Sequence, residues 1–381
     1  MPKIALIGAG SVVFAQKLVS DILQRVGIGT PEFRLMDINP ERLRISGIAA
    51  EKTARALGSA AIVRTTEDQR EAIRDANYVI CCVQVGDTET IQQDFDIPTQ
   101  FGLKQTIGDT LGIGGIFRAL RTYPVMMELV ENIVTVGAPR CLLLNYANPM
   151  AMNMLAVLRK GDLPAVGLCH SVQGSSAKLA GIAGVPIDQV RFRCAGVNHM
   201  AFFTEFRAND EDLYPILLER LNADPHGIGR TVRFELFKRT GYFVTESSEH
   251  QAEYTPYFIH HGERMINHFR VSLDELLRRR SSQVMQWERQ KRDLSESEWE
   301  PKMQPLSHEY GSKIIEAIET DTPSTIYGNV LNNGLINNLP EDACVELACH
   351  VDGSGLSPIA FGRLPTVLSG IISSNIAVQL A

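Results

Sequence analysis

The sequence predicts an α/β fold: a doubly wound parallel sheet joined to a second, α+β domain. Three observations carry this. An apolar run, Lys3-Ile4-Ala5-Leu6-Ile7, enters Gly8-Ala9-Gly10-Ser11 and is followed by Val13, Phe14, Leu18, Ile22 and Leu23 at helical spacing. A second strand, Phe33-Arg34-Leu35-Met36, ends in an acidic residue, Asp37. The alternation of strand and helix continues to about residue 195 and then fades. The expected division is a Rossmann-type domain over 1–195 and an α+β substrate domain over 196–381.

Composition narrows the class. The 381 residues are 21% charged and 44% hydrophobic, with a formal net charge of −7, so no nucleic acid or other polyanion is expected as partner. The longest apolar runs, such as 78–83, are far too short to span a bilayer. A strand starting at Lys3 leaves no room for a signal peptide. Seven scattered cysteines, an odd number, predict a reducing cytoplasm and no disulfide framework.

The first strand–turn–helix carries the first chemistry. Gly8 and Gly10 let the backbone approach a pyrophosphate, and the helix opening after Ser11 stabilises its charge. Asp37 is placed to accept from an adenosine ribose hydroxyl, which favours NAD⁺ over NADP⁺. The third position of the glycine fingerprint is Val13, which loosens the pyrophosphate argument.

The following elements are a helix over 40–57, a strand over 61–64, a short helix over 68–73 and a buried strand over 78–84. Ligands gather at the carboxyl ends of such strands, so Gln84 to Asp87 should border the nicotinamide. Residues 105–115 are polar and glycine-rich and lead into a helix beginning near Phe117-Arg118. They read either as a flexible connector or as a ligand loop, with Asp109 accepting a sugar hydroxyl and Arg118 holding a substrate oxygen. A strand over 140–144 ends near Asn148, either a ligand reader or ordinary Asn-Pro turn chemistry. A strand over 165–168 carries Cys169 and His170 at its tip.

Further on, 201–207, 326–330 and 343–349 read as strands, with a turn at Asn332-Asn333-Gly334. Residues 231–239 read as a helix, and 273–293 as a long charged one whose Arg278-Arg279-Arg280 is a solvated face. The apolar 376–381 stretch is helical and uncapped, suggesting a further C-terminal portion and a homo-oligomer.

Cys169, with His199 thirty residues on, has three readings. Both are structural, or they form a nucleophile pair, or they hold a divalent metal with positions open to substrate. Spacing leaves all three open.

Taken together, Gly8-Ala9-Gly10-Ser11, Asp109-Thr110-Leu111-Gly112-Ile113-Gly114-Gly115, Asn148-Pro149-Met150, Cys169-His170-Ser171-Val172-Gln173-Gly174, Gly196-Val197-Asn198-His199-Met200 and Asn337-Asn338-Leu339-Pro340 resemble glycoside hydrolase family four over nearly the whole chain. With Glu246-Ser247-Ser248-Glu249-His250 and Glu253-Tyr254-Thr255-Pro256, the Cys-His-Ser sextet looks most like the family's melibiose-hydrolysing α-galactosidases. Phospho-glycosidase members carry Asp or Asn where this chain has His170, so a phosphorylated sugar is disfavoured.

The resemblance implies an NAD-dependent exception to the two-carboxylate scheme. The sugar is oxidised at C3, loses a C2 proton, eliminates its glycosidic oxygen, adds water and is reduced again. It further implies Cys169 and His199 as ligands of Mn²⁺, Tyr254 as the C2 base and His170 as the acid. Asp109, Arg118 and Asn148 would hold sugar hydroxyls and Asn329 would lie near the nicotinamide. The apolar C-terminal stretch fits a homodimer or homotetramer. An α-galacturonidase or α-glucuronidase of the same family would instead need a cation facing C6. A simple NAD-dependent dehydrogenase, or a dinucleotide sensor without catalysis, would give no reason for the Cys169–His199 pair.

Overall fold

A computed structural model of the chain describes all residues except 162, 225, 296–299 and 302–303, and the side chains of all of these but 12, 13 and 295. The side chain of Val13 therefore lies outside the described residues, although its backbone continues the first helix.

In the N-terminal half the elements run β1 (Lys3–Ile7), α1 (Val12–Gln24), β2 (Glu32–Met36), α2 (Pro40–Ala56), β3 (Ile62–Thr66), α3 (Gln69–Ile73), β4 (Tyr78–Cys81), α4 (Thr88–Gln100), α5 (Gly112–Val136), β5 (Leu142–Asn145), α6 (Met150–Lys160), β6 (Ala165–Gly167) and α7 (Ser171–Ala183). There follow β7 (Val190–Val197), β8 (Met200–Ala208), β9 (Glu211–Asp212), α8 (Tyr214–Asn222), α9 (Val232–Thr240), β10 (Phe243–Val244), α10 (Ser248–Tyr254), α11 (Glu263–Phe269), α12 (Glu275–Ser295), α13 (Tyr310–Thr320), β11 (Ser324–Leu331), β12 (Cys344–Asp352), β13 (Gly355–Pro358) and α14 (Thr366–Leu380).

Every residue of β4 and β5 is buried, as parallel strands covered by helices on both faces must be. The parallel strands lie in the order β3-β2-β1-β4-β5-β6. The order reverses between β1 and β4, and in such sheets a ligand crevice opens at that point. Beyond β6 the sheet continues antiparallel through β11, β12, β7, β8 and β10, with Asn329 opposite Gly167 and Glu346 opposite Gly196. Among the described residues one continuous sheet thus joins strands from both halves of the chain. The β7–β8 hairpin carries Phe202, Phe203 and Phe206 fully buried, each such ring contributing about 2–3 kcal/mol. No helix of the described residues is long and apolar enough to cross a membrane.

Three local expectations are corrected. The strand expected over 78–84 leaves the ladder after Cys81, because the Cys82–Val83 backbone turns to abut Gly8; a Cβ on that glycine, at φ +87°, would sit 2.8 Å from the Val83 nitrogen. The helix expected to begin near Phe117 begins at Gly112. Its glycines are first-turn packing positions: a Cβ on Gly115 would lie 2.6 Å from the Thr110 carbonyl carbon, and one on Gly114 2.6 Å from the Gly108 oxygen. Finally, Arg280 is not on a solvated face but lines the main cleft, while Arg278 and Arg279 pair with Glu275.

Candidate active site

The cleft of about 840 Å³ opens along the carboxyl ends of the parallel strands. Gly8, Gly10 and Ser11 line it after β1, Asp37 after β2, Gln84 after β4 and His170 after β6. Asp37 accepts the Gly10 N–H at 2.7 Å and the Asn39 N–H at 2.9 Å. A Cβ on Gly10 would lie 2.5 Å from that carboxylate, so the glycine is required for this turn. The loop, the helix start and the acid have the chemistry that holds a dinucleotide. Of the expected cofactor residues, Asn329 stands apart. It is fully buried in the sheet, its Nδ2 donating to the Gly167 oxygen at 3.2 Å and its Oδ1 unpartnered.

Past His170 the chain's buried donors converge. Among the described residues two triads share His199: Cys169–His199–Glu246 and Asp109–His199–His250, each with its ligand atoms within 4.8 Å of one another. The Thr110 hydroxyl donates to Asp109 Oδ1 at 2.8 Å, so at 3.1 Å from His199 Nδ1 it must accept from that nitrogen. The proton on Nδ1 leaves the Nε2 lone pair free, and Nε2 is 3.9 Å from Glu246. Thiolate, imidazole and carboxylate form a donor set for a divalent transition ion. Burial pushes the Cys169 thiol up to about 12, with Glu346 and Glu246 adding, so a bound cation is what would hold it as thiolate. Against burial, which opposes it, His250 and His199 hold Glu246 below the usual carboxylate range. Burial also pushes Glu346 up to about 7, His199 opposing and Glu246 adding. So many buried acids beside one imidazole suit a cation.

The ligand loop is ordered and buried from Gln105 to Leu111, because Glu253 on α10 accepts the backbone N–H of Thr106, of Ile107 at 3.0 Å and of Gly108 at 3.0 Å. The loop is therefore no flexible connector. It carries Asp109, whose Oδ2 accepts from Asn148 Nδ2 at 3.1 Å, and Arg118 Nε donates to the Asn148 carbonyl at 3.1 Å. Burial raises the Asp109 carboxyl, but Arg118 and His250 outweigh it and keep it low. The three residues expected to bind sugar hydroxyls are thus one connected group. Next in chain to Glu253, the Tyr254 hydroxyl lies 3.4 Å from His199 Nδ1. Burial, Asp109 and Glu253 push that phenol well above its ordinary value.

His170 is exposed at the cleft and pairs through Nδ1 with Glu309 at 3.3 Å. That bond raises the imidazole above its ordinary value, to about 9. Lys17 Nζ donates to the same carboxylate at 3.0 Å.

The site also contains groups for which the sequence suggested no role: Thr110, Glu246, His250, Glu309 and Glu346. His250 is held neutral, pushed down to about 4 by burial and by His199 at a ring distance of 4.6 Å. Glu246 and His250 entered the sequence reading only within the segment that resembles the α-galactosidases. Glu309 and Glu346 reach the site only through tertiary structure.

Comparison with known proteins gives the same answer along the whole length. The family 4 glycosyl hydrolase model matches residues 3–185, and the C-terminal domain model of that family matches 194–381. An α-galactosidase of Bacillus subtilis (strain 168) is 41% identical over all of this chain and 88% of its own length. One of Rhizobium meliloti (strain 1021) is 33% identical over 99% of this chain and 79% of its own. A 6-phospho-α-glucosidase from gut microorganisms, solved in complex with NAD and Mn²⁺, shares the fold with a TM-score of 0.82 at 20% identity, over 99% of this chain and 88% of that one. With its glycine loop, its buried Cys169–His199 centre and both family domains matched, the chain belongs to the family 4 glycosyl hydrolases.

Proposed function

We propose that this protein hydrolyses α-galactosides such as melibiose by an NAD⁺- and Mn²⁺-dependent redox–elimination route. The observation that carries the reading is the Tyr254 hydroxyl, 3.4 Å from an imidazole whose other nitrogen lies 3.9 Å from Glu246 and which groups with Cys169. A phenol and a divalent-cation donor set thus lie together, at the strand tip whose next residue, His170, lines the dinucleotide cleft. The two α-galactosidases support the substrate, and the relative solved with NAD and Mn²⁺ supports the cofactors.

Bound NAD⁺ would supply reversible hydride acceptance, and a bound divalent ion Lewis acidity beside a sugar oxygen. Gly8, Gly10, Ser11, Asp37 and Gln84 would hold the dinucleotide, and Cys169 and His199 the metal, with Glu246 as third donor. Asp109, Arg118 and Asn148 orient the sugar hydroxyls as one rigid group. Tyr254 takes the C2 proton, which is acidic once C3 is at the carbonyl level. A phenol raised this far acts as a base only with a cation beside it. His170, charged through Glu309, donates its proton to the departing glycosidic oxygen.

The cofactor requirement is tested with nitrophenyl α-galactoside, under reducing conditions, with NAD⁺ and Mn²⁺ each supplied or withheld. Hydrolysis is expected to need both and to leave no net NADH. Turnover indifferent to NAD⁺ in cofactor-stripped protein would contradict the route, and activity confined to the α-galacturonide would move the substrate.

The acid role makes a separate prediction. Below the raised His170 value the imidazole carries its proton, and above it the acid is lost. Glu309→Gln removes the carboxylate charge that raises it, so the alkaline limb of the pH–rate profile moves from near 9 toward the ordinary histidine range. An unmoved limb would exclude His170 as the acid. Seven free cysteines support a cytoplasmic setting, and exposed Val367 and Val378 on α14 support a homodimer or homotetramer.

A further inference from the structure

The 21 residues of α12 read in sequence as a charged surface helix, yet they are anchored at both ends to the site. At the start, the Asp274 N–H donates to the Gln105 oxygen at 3.0 Å and the Leu276 N–H to the Thr106 oxygen at 3.1 Å, on the loop that carries Asp109. Toward the far end, Trp287 and Leu294 pack on Ile45 and Ala49 of α2, and Lys291 pairs with Glu41 at 2.6 Å. A helix of this length spans about 30 Å, enough to run alongside an extended dinucleotide. Between its anchors Arg280, Gln283, Trp287 and Gln290 face the cleft whose other wall includes Gly10 and Asp37.

Two features of this face point to an anionic, aromatic ligand. The Arg42 guanidinium stacks 4.4 Å over the Trp287 ring and donates through Nη1 to the Gly10 oxygen at 3.2 Å, beside the carboxylate suited to a ribose hydroxyl. Arg280 is only partly paired. Its Nη1 reaches Gln283 at 3.5 Å, and its buried Nε has no partner among the described residues. The charges that act on it are the repelling guanidiniums of Arg42 and Arg118, offset by Asp87. Two guanidiniums lining one cleft, Arg42 and Arg280, are relieved by an anion between them. The glycine loop also lacks its third glycine, so a cation from outside the loop would supplement its backbone donors.

We propose that α12 is the outer wall of the dinucleotide site, with Arg280 meeting the pyrophosphate and the Arg42–Trp287 stack closing the adenosine end. This rests on the NAD⁺ reading above.

The chain has two tryptophans, Trp287 and Trp299, so a Trp299→Phe background isolates Trp287. In the full chain loaded with Mn²⁺, NADH binding is followed by calorimetry and by tryptophan emission, which overlaps NADH absorption. The expected result is saturable loss of Trp287 emission with energy transfer to NADH. Arg280→Gln is expected to weaken NADH binding about tenfold while Mn²⁺ binding is unchanged. Arg280 lies outside the hydrophobic clusters of the described residues, so this variant keeps the test readable. NADH that binds with full heat but leaves Trp287 emission unaltered, or an Arg280→Gln affinity within twofold of the parent, overturns the proposal and leaves the NAD⁺ reading standing. Absence of any NADH heat in the parent protein overturns both.

Discussion

Cys169→Ser is expected to keep the fold and lose the metal, with turnover of the α-galactoside falling about a thousandfold. The exchange is nearly isosteric at a buried position, 8% exposed, so packing changes little. What changes is the donor. A thiol can be held as thiolate by a divalent ion, whereas a serine hydroxyl in the same buried setting stays neutral. The shell then falls to His199 and Glu246, and the negative charge that matches the ion drops by one. Calorimetry with Mn²⁺ checks this directly: the parent releases a proton on binding, seen as a dependence of the heat on buffer, and the variant does not. Retained Mn²⁺ affinity and retained turnover would return Cys169 to an ordinary buried cysteine.

Tyr254→Phe is expected to cost about 10³-fold in kcat while NAD⁺ and Mn²⁺ bind as before. The hydroxyl meets polar partners rather than the core, His199 at 3.4 Å and Thr110, and the ring stays 5.6 Å from that of His250. The distinguishing readout is the redox state of the bound dinucleotide under single-turnover conditions. If Tyr254 removes the C2 proton, the variant still oxidises C3 and accumulates up to one equivalent of NADH without releasing nitrophenol. Equal loss of both signals would make Tyr254 a binding or structural residue, and the neighbouring Tyr242 and Tyr257 would be the next candidates.

What was legible in the sequence follows from how local each signal is. Gly8, Gly10 and Asp37 are fixed by one strand–turn–helix–strand unit, and the carboxyl-end rule placed Gln84, Asn148, Cys169 and His170 without knowledge of their partners. The turn at Asn332-Asn333-Gly334 was similarly local, with Asn333 and Gly334 at positive φ. The groups that tune the site were not legible. Glu309 lies 139 residues from His170, and Glu253 holds a loop 145 residues away, so no periodicity connects them. Arg280 looked like its neighbours Arg278 and Arg279, because helical phase alone does not say which side meets a cleft. The glycines of 112–115 looked like a connector, since the backbone that crowds them belongs to the preceding loop. Asn329 was assigned to the nicotinamide by resemblance alone, and in the fold its amide donates to Gly167 on the strand that leads to Cys169 and His170.

The central claim is that the sugar's C2–H bond is broken and remade during each hydrolysis. Hydrolysis of melibiose in D₂O, with NAD⁺ and Mn²⁺ present, followed by proton NMR of the released galactose, tests it most directly. Deuterium at C2 of the product is expected, because the proton taken by Tyr254 is replaced from solvent. Complete hydrolysis with protium retained at C2 would contradict it, since direct displacement at C1 leaves that bond untouched.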